Sequence, residues 1–150
     1  MKTFPSSMPN LLLIDDNRDG LLVRRTLLEE AGCSVAVAHS GEEGLDLFAK
    51  SKFDLTVTDF RMPGGMDGIE VIQHLRALDA HARVILLSGF VEPLGLNEEN
   101  TGADTVVAKS ANEAAHLVRA VKRLLNRPAR KPPVSQRAAG NRARAGAASR

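Results

Sequence analysis

Short apolar runs alternate along the first 126 residues with segments whose apolar residues recur at helical spacing. Several of the runs are apolar at consecutive positions, which is typical of strands in a parallel sheet covered by helices on both faces. Five runs predict strands: LLLID (11–15), SVAVAH (34–39), DLTVTD (54–59), RVILLSG (83–89) and TVVAK (105–109). The pattern therefore predicts an α/β fold, a βα repeat with right-handed crossovers around a parallel sheet.

The segments between these strands predict amphipathic helices with a buried apolar stripe. The stripes are Val23, Leu27 and Ala31; Leu45 and Phe48; Ile69, Ile72 and Leu75; and Leu117, Val121 and Leu124. Three potential caps lie three positions before a Glu, the spacing of a capping box: Ser40 with Glu43, Asp67 with Glu70, and Ser110 with Glu113. Gly32 is expected to end the first helix. The stretch GFVEPLGLNEENTG (89–102), with Pro93 and Gly95, predicts only a short or irregular fourth helix.

The composition allows one compact domain and excludes several classes of protein. Hydrophobic residues make up 43% of the 150 residues, and no apolar run approaches the roughly 18 residues of a membrane span. The opening MKTFPSSMPN has no apolar core of a secretory signal, and the single Cys33 has no disulfide partner or metal-ligand companions. We therefore expect a cytoplasmic protein without membrane insertion. Motifs such as GxxxxGK[ST], HExxH and GxSxG are missing, which argues against a small-molecule enzyme.

The formal charge of +2 conceals two regions of opposite charge. Residues 127–150 hold seven of the 20 basic residues and no acid, so the first 126 residues carry 13 basic against 18 acidic residues, a net charge of −5. We expect an N-terminal extension over 1–8, one domain over 9–126 and a disordered basic tail over 127–150, since the tail has little apolar surface to bury. The tail is too short for a DNA-binding module. Its arginines leave nucleic-acid or acidic-surface binding open as a less favoured function.

Polar residues follow the apolar runs at the points where four strands end. Asp15 and Asp16 close the first strand, Asp59 the third, Ser88 the fourth and Lys109 the fifth. The carboxyl ends of parallel strands meet at one edge, so these side chains are expected to converge. Three carboxylates close together repel, and a hard divalent cation with oxygen ligands would relieve that repulsion. A carboxylate in such a place can also attack phosphorus to form an acyl phosphate.

These features resemble the receiver domains of two-component response regulators, in a single-domain, chemotaxis-regulator-like form. The resemblance covers about residues 9–126 and rests on four stretches in order: IDDN (14–17), TDFRMPGGMDG (58–68), LLSG (86–89) and GADTVVAKS (102–110). It implies a flavodoxin-like, doubly wound (βα)5 fold whose five-stranded parallel sheet has the order 2-1-3-4-5. It also implies a signalling domain rather than an enzyme, with only Mg²⁺-dependent self-phosphorylation and dephosphorylation.

The resemblance further implies a role for each residue at the strand ends. Asp59 would accept a phosphoryl group from a sensor histidine kinase or a histidine phosphotransfer protein. Asp15, Asp16 and Asp59, with the backbone carbonyl of Arg61, would hold Mg²⁺. Lys109 would contact Asp59 and the phosphoryl group, and Ser88 would supply the switch hydroxyl. The signal would then pass to an unidentified downstream protein by direct contact.

The sequence departs from the family pattern at four places. Val106 stands where an aromatic residue often takes part in the switch, and Ser110 replaces a common proline, so we expect a trans Lys109–Ser110 bond. Gly64 and Gly65 lengthen the loop after the phosphoacceptor, and we hypothesise that the Arg61 guanidinium pairs with the phosphoryl group. These departures keep a second function open, a receiver-fold interaction module that works without phosphorylation.

Overall fold

The chain forms a doubly wound α/β domain in the computed structural model, which describes residues 8–89 and 94–127. Within these ranges, five parallel strands are ordered β2-β1-β3-β4-β5. The strands are β1 (Asn10–Ile14), β2 (Ser34–Ala38), β3 (Leu55–Asp59), β4 (Val84–Ser88) and β5 (Thr105–Ala108). The helices are α1 (Arg18–Glu30), α2 (Gly41–Lys50), α3 (Gly68–Leu78), α4 (Glu98–Thr101) and α5 (Glu113–Leu125). The predicted fold class and strand order are confirmed.

Both faces of the sheet are buried, which explains why the strands are apolar at consecutive positions. In β1, Leu11 and Leu13 pack in a cluster that includes residues of α1 and α5. Leu12 and Ile14 pack in a second cluster that includes residues of α3. Because side chains alternate along a strand, a strand covered by helices on both sides must be apolar throughout.

The reversal of strand order falls between β1 and β3, and it determines where the polar strand ends meet. The chain runs from β1 outward to β2 and then returns to place β3 on the other side of β1. Ile14 of β1 is paired with Thr58 of β3, so the next residues, Asp15 and Asp59, follow at the same level. A crevice at this edge is the usual ligand position in open α/β sheets.

Two of the three predicted helix caps form. The Ser40 hydroxyl accepts a hydrogen bond from the Glu43 N–H at 3.0 Å. Asp67 and Glu70 form a reciprocal capping box, with bonds of 2.9 and 3.0 Å in the two directions. Gly32 follows the end of α1 with φ of 106°, a left-handed conformation that glycine adopts without steric cost.

The third predicted capping box does not form, although the Ser110 hydroxyl accepts a hydrogen bond from the Asn112 N–H at 3.3 Å. Glu113 is the first residue of α5 rather than its third, Asn112 precedes it without a side-chain cap bond, and Ser110 lies outside the helix. The Glu113 carboxylate does not reach back to cap the helix, because it is bound by the guanidinium of Arg24 from α1.

The predicted apolar stripe of α1 is also displaced. Val23 is 66% exposed and Leu27 is only partly buried, whereas Leu21 and Leu28 are buried in the first core cluster. Arg24 lies between the two buried leucines at helical spacing, so the inward face of α1 carries a charged residue. A pattern of apolar residues alone therefore misplaces Val23, although Leu27 still packs against the core.

The described part of the segment predicted to be irregular contains a short helix. Among the described residues it is the four-residue α4 (Glu98–Thr101), preceded by Gly95 with φ of 63° and ended by Gly102 with φ of 80°. Pro93, which contributed to that prediction, lies outside the described residues. The Lys109–Ser110 peptide bond is trans, as expected, and the described ranges contain no cis bond.

The predicted boundaries of the N-terminal extension and the basic tail are not tested by the described residues. Residues 1–7 and 128–150 lie outside the described ranges, so the extension over 1–8 and the basic tail over 127–150 remain predictions. In the part of the chain that the structure describes, no helix is both long enough and apolar enough to cross a membrane.

Candidate metal centre

Three carboxylates converge at the carboxyl edge of the sheet. One potential ligand atom from each of Asp15, Asp16 and Asp59 lies within 4.8 Å of the others. Asp15 follows β1 and is buried, Asp59 ends β3 with 4% of its surface exposed, and Asp16 is exposed. Oxygens on opposite sides of a bound Mg²⁺ or Ca²⁺ ion are about 4 to 5 Å apart. The spacing and the all-oxygen donor set therefore fit a small, hard cation such as Mg²⁺.

Lys109 brings a positive charge to this cluster from the end of β5. Its ammonium forms an ion pair with Oδ1 of Asp59, and its backbone N–H donates to the Ser88 carbonyl at 2.9 Å. That backbone bond extends the β4–β5 ladder by one residue and fixes where the lysine side chain leaves the sheet. The side chain spans from β5 to β3 over the end of β4.

Ser88 is buried at the end of the strand that separates Asp59 from Lys109. Asp59 is paired with Leu87 of β4, so Ser88 lies one position further toward the carboxyl edge. Ser88 itself is paired with Ala108, the residue before Lys109. The sheet thus brings all five predicted strand-end residues to one edge.

The surroundings of Asp59 disfavour its negative charge. Burial raises the pKa of Asp59 most strongly, and the charge of Asp15 adds to the rise. The hydrogen bond and charge of Lys109 and the charge of Arg24 lower the pKa, but they only partly offset burial. Additional positive charge at this edge would therefore stabilise the ionised carboxylate.

Arg24 is a residue of this site that the sequence did not reveal. Its Nη1 donates to Oδ2 of Asp15 at 2.7 Å, while Nε and Nη2 donate to the two carboxylate oxygens of Glu113 at 2.6 and 3.2 Å. Burial lowers the pKa of Arg24, but Glu113, Asp15 and Asp59 more than reverse this and raise it. It lies three residues after Leu21 and four before Leu28, on the inward face of α1, where the periodicity of apolar residues does not predict a charge.

The loop after β3 forms the outer wall of the site. Arg61, whose carbonyl is a predicted metal ligand, is exposed in this loop. The loop residues Gly64 and Gly65 help to line a cavity of about 80 Å³ that also contacts Asp16. A water molecule needs roughly 10 to 15 Å³ of such volume, so the cavity has room for several waters beside the exposed carboxylate. Mg²⁺ usually retains several waters when it binds to proteins.

The fold and the residues at its carboxyl edge define a class of protein. The family model described as the response regulator receiver domain matches residues 11–122. The chain therefore belongs to the receiver domains of two-component response regulators, a family of signalling domains.

Curated relatives agree with this family. A response regulator receiver protein of Anaeromyxobacter sp. (strain Fw109-5) is 38% identical over 84 residues, which span 56% of this chain and 35% of that protein. The sporulation initiation phosphotransferase F of Bacillus subtilis is 30% identical over 100 residues, 66% of this chain and 80% of that protein. The uncharacterized transcriptional regulatory protein YkoG of the same bacterium is 37% identical over 79 residues, 53% of this chain and 34% of that protein. The aligned part thus spans about a third of two of these relatives.

Solved structures share the fold. The response regulator TrrA of Thermotoga maritima, in complex with Mg²⁺ and BeF, is 32% identical with a TM-score of 0.71, over 78% of this chain and 99% of that one. The receiver domain of the Francisella response regulator 1452 is 30% identical with a TM-score of 0.69, over 78% and 96% of the two chains.

Proposed function

We propose that this chain is a phosphoacceptor receiver in which Asp59 takes a phosphoryl group with the help of Mg²⁺. The observation that carries the proposal is the position of Asp59, buried at the carboxyl end of β3, paired with Lys109 and clustered with two further carboxylates. An ordinary turn aspartate is exposed and needs no such partners. The similarity to TrrA, solved with Mg²⁺ and BeF, supports the same assignment.

The proposed reaction transfers a phosphoryl group between two side chains. A carboxylate oxygen of Asp59 attacks phosphorus and forms an O–P bond, while the P–N bond of a phosphohistidine breaks and its electron pair stays on the imidazole. Lys109 balances the negative charge on the phosphoryl oxygens. Mg²⁺ held by Asp15, Asp16, Asp59 and the Arg61 carbonyl would supply further charge neutralisation.

Two other residues complete the proposed site. Ser88 would supply a hydroxyl to the phosphoryl oxygens, and its position at the end of β4, between the strands of Asp59 and Lys109, supports that role. The exposed Arg61 would pair with the acyl phosphate and slow its hydrolysis. An Arg61→Ala variant should then lose its phosphoryl group faster than the wild type, and an unchanged lifetime would reject this role.

The phosphoryl donor would be a sensor histidine kinase or a histidine phosphotransfer protein. Curated relatives include the sensor protein GacS of Pseudomonas syringae, which is 37% identical over 75 residues, 50% of this chain and 8% of that protein. The output would be a protein contact that changes on phosphorylation. Val106 at the β5 edge is not aromatic but packs partly buried against the second core cluster, so the output would not depend on rotation of an aromatic ring there.

The test is the intact mass of the protein after incubation with acetyl phosphate, with Mg²⁺ or with a chelator. We expect a Mg²⁺-dependent gain of one phosphoryl group in the wild type and no gain in Asp59→Asn. Asp46→Asn is a matched control, because Asp46 is exposed on α2 and its carboxylate pairs with Lys50. A gain that persists in Asp59→Asn would contradict the proposal. No gain in any variant would favour an interaction module that works without phosphorylation.

A further inference from the structure

We propose that Arg24 is a built-in competitor of the metal ion, a positioning residue that occupies Asp15 in the metal-free protein and limits Mg²⁺ affinity. This inference rests on the proposed metal site and adds a residue to it. Arg24 would hold Asp15 in place until a cation arrives, and it would then remain bound to Glu113.

Both carboxylate oxygens of Asp15 already accept hydrogen bonds before any metal binds. Its Oδ2 accepts the 2.7 Å bond from Arg24, and its Oδ1 accepts a 3.0 Å bond from the Asn17 N–H. The Arg24 and Asp15 side chains are both largely buried, so solvent screens their ion pair only weakly. A divalent cation at Asp15 would lie close to the guanidinium, and the two positive charges would repel each other.

Glu113 gives Arg24 a second anchor on the opposite side. The carboxylate accepts from Nε and Nη2, so the guanidinium bridges α1 and α5 while it also contacts Asp15. A two-bond arginine–carboxylate pair is strong and directional. Arg24 can therefore release Asp15 and keep a neutralising partner, which makes the exchange with a metal ion possible without an unpaired buried charge.

Gly20 provides the space for this arrangement. A Cβ at position 20 would come 2.7 Å from Nη1 of Arg24 and 3.1 Å from Oδ2 of Asp15. Gly20 is not among the glycines with positive φ, so its backbone conformation does not require glycine. Glycine inside a helix costs about 0.5 to 1 kcal/mol relative to alanine. A side chain at position 20 would therefore push the Arg24 guanidinium away from its place beside Asp15.

A purely structural role for Arg24 leads to the opposite prediction. If Arg24 only tied α1 to α5 and aimed Asp15 at the metal, its removal would disorder the ligand and weaken Mg²⁺ binding. If Arg24 competes with the metal, its removal frees Asp15, takes away a positive charge and strengthens Mg²⁺ binding. The sign of the change in affinity separates the two roles.

The experiment is calorimetric titration of the full chain with MgCl₂ at pH 7. We expect Arg24→Met to bind Mg²⁺ roughly five- to tenfold more tightly than the wild type, the effect of losing one nearby positive charge. Glu113→Gln should bind about threefold less tightly, because Arg24 would then interact more fully with Asp15. Arg25→Met is the matched control, since Arg25 is 47% exposed, pairs with Glu29 and should leave the affinity within about twofold.

Weaker or unchanged binding by Arg24→Met would overturn the inference. If Arg24→Met does not fold, as judged by far-UV circular dichroism, Arg24→Gln replaces it and should also bind more tightly; weaker or unchanged binding by that variant overturns the inference equally. If neither the wild type nor the Arg24 variants bind Mg²⁺, the metal site itself fails. If the wild type binds Mg²⁺ and the Arg24 variants bind it no more tightly, the metal site stands and only the proposed role of Arg24 is wrong.

Discussion

Gly68, the first residue of α3, lies where any side chain would collide with the backbone that carries Asp59. A Cβ at this position would come 2.4 Å from the Asp59 carbonyl oxygen, 2.9 Å from the Phe60 Cα and 2.7 Å from the Leu86 side chain. Leu86 can shift, but the two backbone atoms belong to the last residue of β3 and to the residue after it, whose N–H is bonded to the Leu87 carbonyl, and they cannot rotate away. Overpacking of this kind costs about 1 to 3 kcal/mol. We expect Gly68→Ala to lower the free energy of unfolding by about 2 kcal/mol, in the middle of that range.

Urea denaturation followed by far-UV circular dichroism measures this effect, since the chain has no Trp or Tyr for intrinsic fluorescence. With a denaturant slope of about 2 kcal/mol per molar urea, the midpoint should fall by about 1 M. Gly89→Ala is the matched control, because a Cβ there would meet no atom within 4 Å. We expect that variant to stay within about 0.5 kcal/mol of the wild type. Equal midpoints for the two variants would refute the reasoning.

Three further predictions concern buried groups. Arg76→Met should lower the free energy of unfolding in urea by about 3 to 5 kcal/mol, because the Asp104 side chain would lose its ion pair and the Ala82 and Gly102 carbonyls would lose their guanidinium donor; a loss below about 1 kcal/mol would contradict this. The Cys33 thiol is 2% exposed, and burial raises its pKa to about 11, so it should resist a disulfide reagent at pH 8 until urea unfolds the chain. Rapid reaction of the native protein with the disulfide reagent would contradict this prediction. Folding raises the pKa of Asp59, so its ionised form lowers the free energy of unfolding of the metal-free protein at neutral pH. This loss of stability shrinks as the pH falls through the pKa of Asp59 in the folded protein, and it is gone below the pKa in the unfolded chain. Asp59→Asn should therefore raise the urea midpoint at pH 7 in a chelator, and the gain should shrink at acidic pH; an unchanged midpoint would contradict the sign.

The sequence predicts the sheet well because burial on both faces leaves a direct mark on it. Each strand is a short apolar run, and the polar residue that follows it marks the carboxyl edge. Once the strands are parallel, the convergence of Asp15, Asp59 and Lys109 follows from the topology. The site therefore needs only the order of the strands, and not the details of side-chain packing.

The role of Arg24 could not be predicted for a physical reason. Periodicity assigns charged residues to the exposed face, so an arginine on the buried face of α1 moves the predicted stripe toward Val23, which is in fact exposed. The partner that makes the buried charge tolerable, Glu113, is 89 positions away in the sequence. The same contact draws Glu113 out of its predicted capping role, so one long-range ion pair explains two wrong predictions.

The most direct test of the central claim is to locate the acyl phosphate on the chain. Borohydride reduction of the phosphorylated protein converts an aspartyl phosphate to homoserine, and peptide mass spectrometry then identifies the modified position. Three carboxylates are close enough at this edge to compete for the phosphoryl group. We expect homoserine at position 59 alone, in the carboxylate paired with Lys109. Homoserine at Asp15 or Asp16 instead would contradict the assignment of Asp59 as the phosphoacceptor.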